Sequence, residues 1–137
     1  MKKKKQSKTP LTPEEFCPIR HTLKVLGKRW TILIIKEIHY SRRGKLSFME
    51  LRKRLVNASS KVLSERLKDM AADNLVKRKV HADGIPVRVY YSLTPKGEDA
   101  CNIIEDLKKY GLKWGEKDRF DCRNVDCELC RKNKATS

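Results

Sequence analysis

No stretch of this 137-residue chain approaches the roughly 18 consecutive apolar residues that a membrane span requires. The longest apolar run, Trp30 to Ile35, is interrupted by Thr31 and halted by Lys36. The lysines after Met1 lead into Gln-Ser-Lys-Thr-Pro and not into an apolar segment, so the N-terminus does not read as a secretory signal. Both absences point to a cytoplasmic, nucleoid-associated protein with no membrane partner. Acidic charge is also scarce: 17 Asp and Glu stand against 33 Lys and Arg, a formal net charge of +16. Such a field attracts polyanions, either nucleic acid or an anionic surface. The bland source of the same charge is the lysine-rich surface of a heat-adapted protein. Missing as well are a glycine-rich phosphate loop, a paired-carboxylate cleft and a nucleophile–histidine arrangement, which argues against an enzyme.

What is present concentrates between Phe48 and Thr94. The order there is helix, tight turn, helix, then a basic two-stranded hairpin, the layout of a winged helix-turn-helix. The fold class expected is mostly α with a small β-hairpin wing, flanked by N- and C-terminal dimerisation helices. Three segments follow: a disordered basic arm over 1–13 with five lysines and two prolines, a DNA-binding and dimerisation body over 14–115, and a cysteine-containing tail over 116–137.

Helical spacing of apolar residues predicts the elements of that body. A first helix starts near Cys17-Pro18, carries Ile19, Leu23 and Leu26, and ends at Gly27. A second runs from about Arg29 to Tyr40 with Trp30, Leu33, Ile34 and Ile38, Trp30 being read as core. Leu46, Phe48, Leu51 and Leu55 mark a third, with Ser47 as N-cap and Glu50 at the capping-box position. Ser59 or Ser60 caps a fourth, whose buried face is Leu63, Leu67 and Met70. Strands over Leu75–Ala82 and Val87–Leu93 meet at Asp83-Gly84, with Val76, Val80, Val89, Tyr91 and Leu93 facing inward. Thr94-Pro95 opens a long last helix with Ile103, Leu107, Tyr110 and Trp114 on one face. That face exceeds what a small core absorbs, and pairing with a second copy is its natural outlet.

Lys61, Ser64, Glu65 and Lys68 project from the outward face of the fourth helix, with Ser60 at its start. A charged outward face is usually only solvated; as second helix of a helix-turn-helix, this one is placed to read base edges. Lys77, Lys79 and Arg88 on the wing, with Arg52 and Lys53 nearby, are the phosphate contacts expected to set register.

In this order and spacing the chain resembles the HxlR-type family of bacterial and archaeal winged-helix transcriptional regulators. The resemblance runs from Cys17 to about Gly115. It rests on Cys17-Pro18, Gly27-x-x-Trp30-Thr31, Phe48-x-Glu50-Leu51-Arg52, and Lys61-x-Leu63-Ser64-x-Arg66-Leu67. The wing contributes Pro86-x-Arg88-Val89-x-Tyr91-Ser92-Leu93-Thr94, and Trp114-Gly115 closes the match. Three positions depart from the family pattern: Lys28 replaces a second glycine, Ser47 an arginine, and Tyr90 an acidic residue. The resemblance implies homodimers, joined largely through the first and last helices, that bind two-fold symmetric double-stranded DNA.

Cys17 has two readings. A thiol at a helix N-terminus beside Arg20 and His21 should have a lowered pKa and be oxidisable, and the resemblance implies a cysteine here that senses oxidants or electrophiles. Alternatively it is a small buried residue of the dimer interface. Cys101 reads as a packing residue. Cys122, Cys127 and Cys130 follow Cys-x4-Cys-x2-Cys spacing, which suits structural zinc with a fourth ligand from elsewhere, or an iron–sulfur cluster, or simply unpaired thiols. Three functions therefore compete: a sequence-specific homodimeric transcriptional regulator, redox- or metal-responsive through these cysteines; a DNA-coating chromatin-type protein; and a metal- or redox-binding protein with DNA contact as its output.

Overall fold

Serine and threonine side chains fix where three of the helices start. The computed structural model describes residues 12–115, so the basic arm before Thr12 and the tail beyond Gly115 lie outside the described residues. A one-turn helix α1 (Pro13–Phe16) precedes α2 (Pro18–Leu26), which has Cys17 at its N-cap and Pro18 in its first turn. Helix α3 (Thr31–His39) follows from Trp30, whose φ of 76° lies in the left-handed region that side chains rarely adopt. Strand β1 (Lys45–Ser47) leads directly into α4 (Phe48–Arg54). Ser47 Oγ accepts from the Glu50 N–H at 3.1 Å while Glu50 Oε2 accepts from the Ser47 N–H at 3.2 Å, the reciprocal capping box.

Helix α5 (Ser60–Ala72) is capped by Ser59, not Ser60: the Ser59 hydroxyl accepts from the Val62 N–H at 3.2 Å. Its far end closes through Asn74, with φ of 60°. The Leu75 N–H reaches the Met70 carbonyl at 2.8 Å, and the Asn74 N–H reaches that of Ala71 at 3.1 Å. Strands β2 (Val76–His81) and β3 (Arg88–Leu93) form the wing, and α6 (Pro95–Trp114) starts at Thr94. The Thr94 hydroxyl accepts from the Gly97 N–H and donates to the Asn74 carbonyl at 2.6 Å, so it joins α6 to the end of α5. Gly97 is required there, because a Cβ would land on the Leu75 carbonyl oxygen.

The sheet has three strands, antiparallel, in the order β1-β3-β2. The expected two-stranded hairpin is present as β2–β3, and β1 adds a third strand to it. Leu46, assigned from spacing to the third helix, pairs instead with Tyr91 and is buried. A strand of three residues is too short to show a two-residue alternation, so the helical reading absorbed it.

The core lies between α3, α4, α5, α6 and the inner sheet face. Ile34, Ile35, Ile38, Leu51 and Leu63 are fully buried, and each contributes about 1.5–3 kcal/mol relative to an exposed position. Trp30 is only partly buried against this core. Leu33 is 41% exposed, because the buried side of α3 runs through Ile34, Ile35 and Ile38. Val80 pairs with Val89 on the inner-facing parity but is 46% exposed, since the wing extends past the core. Glu37 is buried yet paired: Arg54 donates to it at 3.2 Å and Lys36 at 3.2 Å, which ties α3 to α4.

Candidate nucleic-acid interface

With Leu63, Leu67 and Met70 turned into the core, the rest of α5 has to face outward. Lys61, Ser64, Glu65 and Lys68 are all exposed, and Ser60 is partly so. The helix is held from behind. Arg66 donates to the Arg29 carbonyl at 2.8 Å and to Asp69 at 3.0 Å. Lys28, the residue that departs from the family's glycine, lies 3.9 Å from Asp69 and 4.0 Å from Asp73. The α2–α3 loop is thereby clamped to the back of α5, and the outward face stays unencumbered.

Register divides the wing into two faces. Val76, Arg78 and Val80 share one face with Leu93, Tyr91 and Val89, whereas Lys77, Lys79 and His81 share the other with Ser92, Tyr90 and Arg88. A groove runs between the wing and the helices, lined by Lys53 of α4, Ser64 of α5, and Arg78 and Arg88 of the wing. Of the residues singled out from sequence, the structure brings Lys53, Ser64 and Arg88 together here. Lys77 and Lys79 are exposed on the opposite sheet face, and Arg52 is exposed on α4 outside this lining. Arg78 was missed. The parity of Val76 and Val80 would have found it, since the residue between them on the same face must share their side of the sheet.

The outer wing face carries a cationic cluster built around Tyr90. Lys45 Nζ lies 4.9 Å from the ring centre and the Arg43 guanidinium 5.8 Å, while the His81 ring meets it edge-on at 4.9 Å. A hydrogen bond from Arg88, then the charges of Arg88 and Arg43, hold the Tyr90 phenol below its ordinary value. Arg43 also donates to Glu50 at 2.8 Å. Arg43 and Lys45 come from the β1 side, whose strand was not visible in the sequence. Basic side chains gathered on an exposed ribbon are suited to phosphate contacts.

Residues 25–119 match the model of the HxlR-like helix-turn-helix family. The chain belongs to the HxlR-like helix-turn-helix family. It is 36% identical over 105 residues to YvaP, an uncharacterized HTH-type transcriptional regulator of Bacillus subtilis (strain 168), covering 76% of this chain and 94% of YvaP. YodB of the same organism, an HTH-type transcriptional regulator, is 34% identical over 102 residues, 74% of this chain and 88% of YodB. The reduced form of YodB superposes with a TM-score of 0.58 at 31% identity, over 74% of this chain and 96% of YodB. The redox regulator HypR in its oxidized form superposes with a TM-score of 0.64 at 29% identity, over 73% of this chain and 99% of HypR.

Within this HxlR-like frame the cysteines separate by burial. Cys17 is partly exposed at the N-cap of α2. Cys101 is buried in α6, where burial first, then the charges of Glu98 and Glu105, push its thiol up to about 12. Both are free thiols. Cys122, Cys127 and Cys130 lie outside the described residues. Two apolar faces stay open to solvent: Ile19 and Leu23 on α2, and Ile103, Leu107, Tyr110 and Trp114 along α6, the last 70% exposed. Among the described residues no helix is long and apolar enough to cross a membrane.

Proposed function

We propose that this HxlR-like protein is a homodimeric, sequence-specific DNA-binding transcriptional regulator. The observation that carries the reading is the groove in which Ser64 of α5 faces Arg78 and Arg88 of the wing. One docking event then brings the outward face of α5 to base edges and the wing to flanking phosphates. Lys61 and Lys68 donate to guanine O6 and N7, and Glu65 accepts from cytosine N4. Arg52, Lys53 and the wing cations take phosphate. Replacing Lys61 or Lys68 with alanine should change which sequence is preferred, read by binding to a panel of single-base operator variants. An unchanged preference profile for both variants would remove α5 from the recognition role.

The homodimer follows from the uncovered faces of α2 and α6. The stripe from Ile103 to Trp114 repeats at helical spacing along a helix of 20 residues, about 30 Å long. A second copy laid against it satisfies the two-fold symmetry that paired half-sites require.

Redox response is the second part of the reading, favoured by the similarity to the redox regulator HypR and by a partly exposed Cys17 at a helix N-cap. Oxidation at α2 would alter a helix of the proposed dimer face, and with it the separation of the two α5 helices. Mild peroxide or diamide should lower operator affinity for the parent protein and leave Cys17→Ser unaffected. Equal affinity of the parent before and after oxidant would sink this part and leave the DNA-binding reading intact.

A further inference from the structure

The last turn of α3 and the first half of α6 bring three different metal-ligating side chains to one spot. His39 ends α3, while Glu98 and Cys101 stand one turn apart on α6 and so share a face. His39 Nδ1 lies 3.3 Å from Glu98 Oε2, and Cys101 Sγ lies 3.9 Å from the same oxygen. All three donor atoms fall within 4.8 Å of one another. We propose that His39, Glu98 and Cys101 form a binding site for a borderline-soft divalent cation, zinc(II) being the ion that fits.

Donor spacing supports the choice. Tetrahedral zinc with bonds of about 2.0–2.3 Å places its nitrogen, oxygen and sulfur ligands about 3.3–3.6 Å apart. The His39–Glu98 pair already meets that spacing and the Glu98–Cys101 pair is a few tenths of an ångström wider. The Glu98 side chain is 54% exposed and free to adjust. Its exposure also leaves a side open for water as fourth ligand. One thiolate, one imidazole and one carboxylate make a donor set that magnesium and calcium, which take oxygen ligands, do not favour.

Electrostatics points the same way. In a chain of net charge +16, this spot collects Glu98 and the nearby Glu105 around a buried thiol. These carboxylates attract a dication, and a bound dication would hold Cys101 as the ligating thiolate. As a plain thiol, Cys101 has only long contacts: 3.8 Å to the Gly97 carbonyl and 3.9 Å to Glu98. The bound ion would lock α3 to α6, the helix that carries the exposed apolar stripe. The proposal uses none of the C-terminal cysteines and does not depend on the DNA-binding reading.

Cobalt(II) titration of the anaerobically purified, metal-stripped full-length chain tests it, because thiolate ligation gives a charge-transfer band. The background variant is Cys122→Ser/Cys127→Ser/Cys130→Ser, which removes the competing tail thiols. This variant should bind one equivalent with a thiolate band that zinc abolishes by displacement. In the same background, His39→Ala and Cys101→Ser should lose the band, and Glu98→Gln should weaken binding at least tenfold. Glu98 is exposed, so its substitution keeps the test decisive if the Cys101 variant does not fold. At equal zinc concentration the melting temperature of the triple variant should rise more than that of its Glu98→Gln derivative. No thiolate band in the triple variant, or a band that survives Cys101→Ser or is indifferent to both His39→Ala and Glu98→Gln, overturns the proposal.

Discussion

Arg88 belongs to two surfaces at once. It lines the groove together with Ser64, and it shares the outer face of the wing with Tyr90, whose phenol pKa it lowers. Arg88→Ala should therefore weaken binding to every DNA sequence alike and reduce the slope of log affinity against log salt by about 1. Titrations at several salt concentrations check this, and an unchanged affinity at low and moderate salt would take the wing out of the interface. Arg78→Ala should behave in the same way, since it shares the groove. The two described thiols separate on burial alone. In native protein an alkylating reagent should label Cys17 well before Cys101, followed by mass spectrometry of timed samples. Equal labelling rates would mean that α6 opens far more readily than its packing suggests.

Helix ends are the part of this fold that its residue types made most legible. Ser47 with Glu50, and Thr94 with Pro95, could be read as caps from local pattern, because a capping side chain bonds within three residues of itself. Ser59→Ala should accordingly cost about 1 kcal/mol of stability, measured by chemical denaturation. Contacts between distant residues were not legible. The Arg54–Glu37 pair spans 17 positions, and neither residue looks unusual on its own helix. Arg54→Met would leave the buried Glu37 carboxylate without its partner on α4, at a cost of about 1.5–3 kcal/mol. Loss of less than about half a kcal/mol in denaturation would show that Lys36 alone suffices. Strand β1 escaped for the same reason: three residues carry no period, and only pairing with β3 makes Leu46 a strand residue. That omission hid Arg43 and Lys45, while Arg78 was hidden by reading valines without the residue between them.

At the scale of the whole molecule, the groove and wing gather cations, while α2 and α6 leave Ile19, Leu23, Leu107 and Trp114 uncovered. This arrangement suits a dimer that presents two copies of α5 to one face of a duplex. Leu107→Glu combined with Trp114→Glu should give a monomer by sedimentation analysis and should lose affinity for two-half-site DNA far more than for a single half-site. A variant that remains dimeric would place the interface elsewhere. The net charge alone would also serve a protein that coats DNA without choice, so the decisive quantity is preference and not affinity. Selection of the full-length protein against a random-duplex library, followed by competition with bulk DNA, measures it directly. The account predicts a two-fold symmetric motif bound about 10³-fold or more tighter than bulk DNA; a flat distribution with no enriched motif would contradict it.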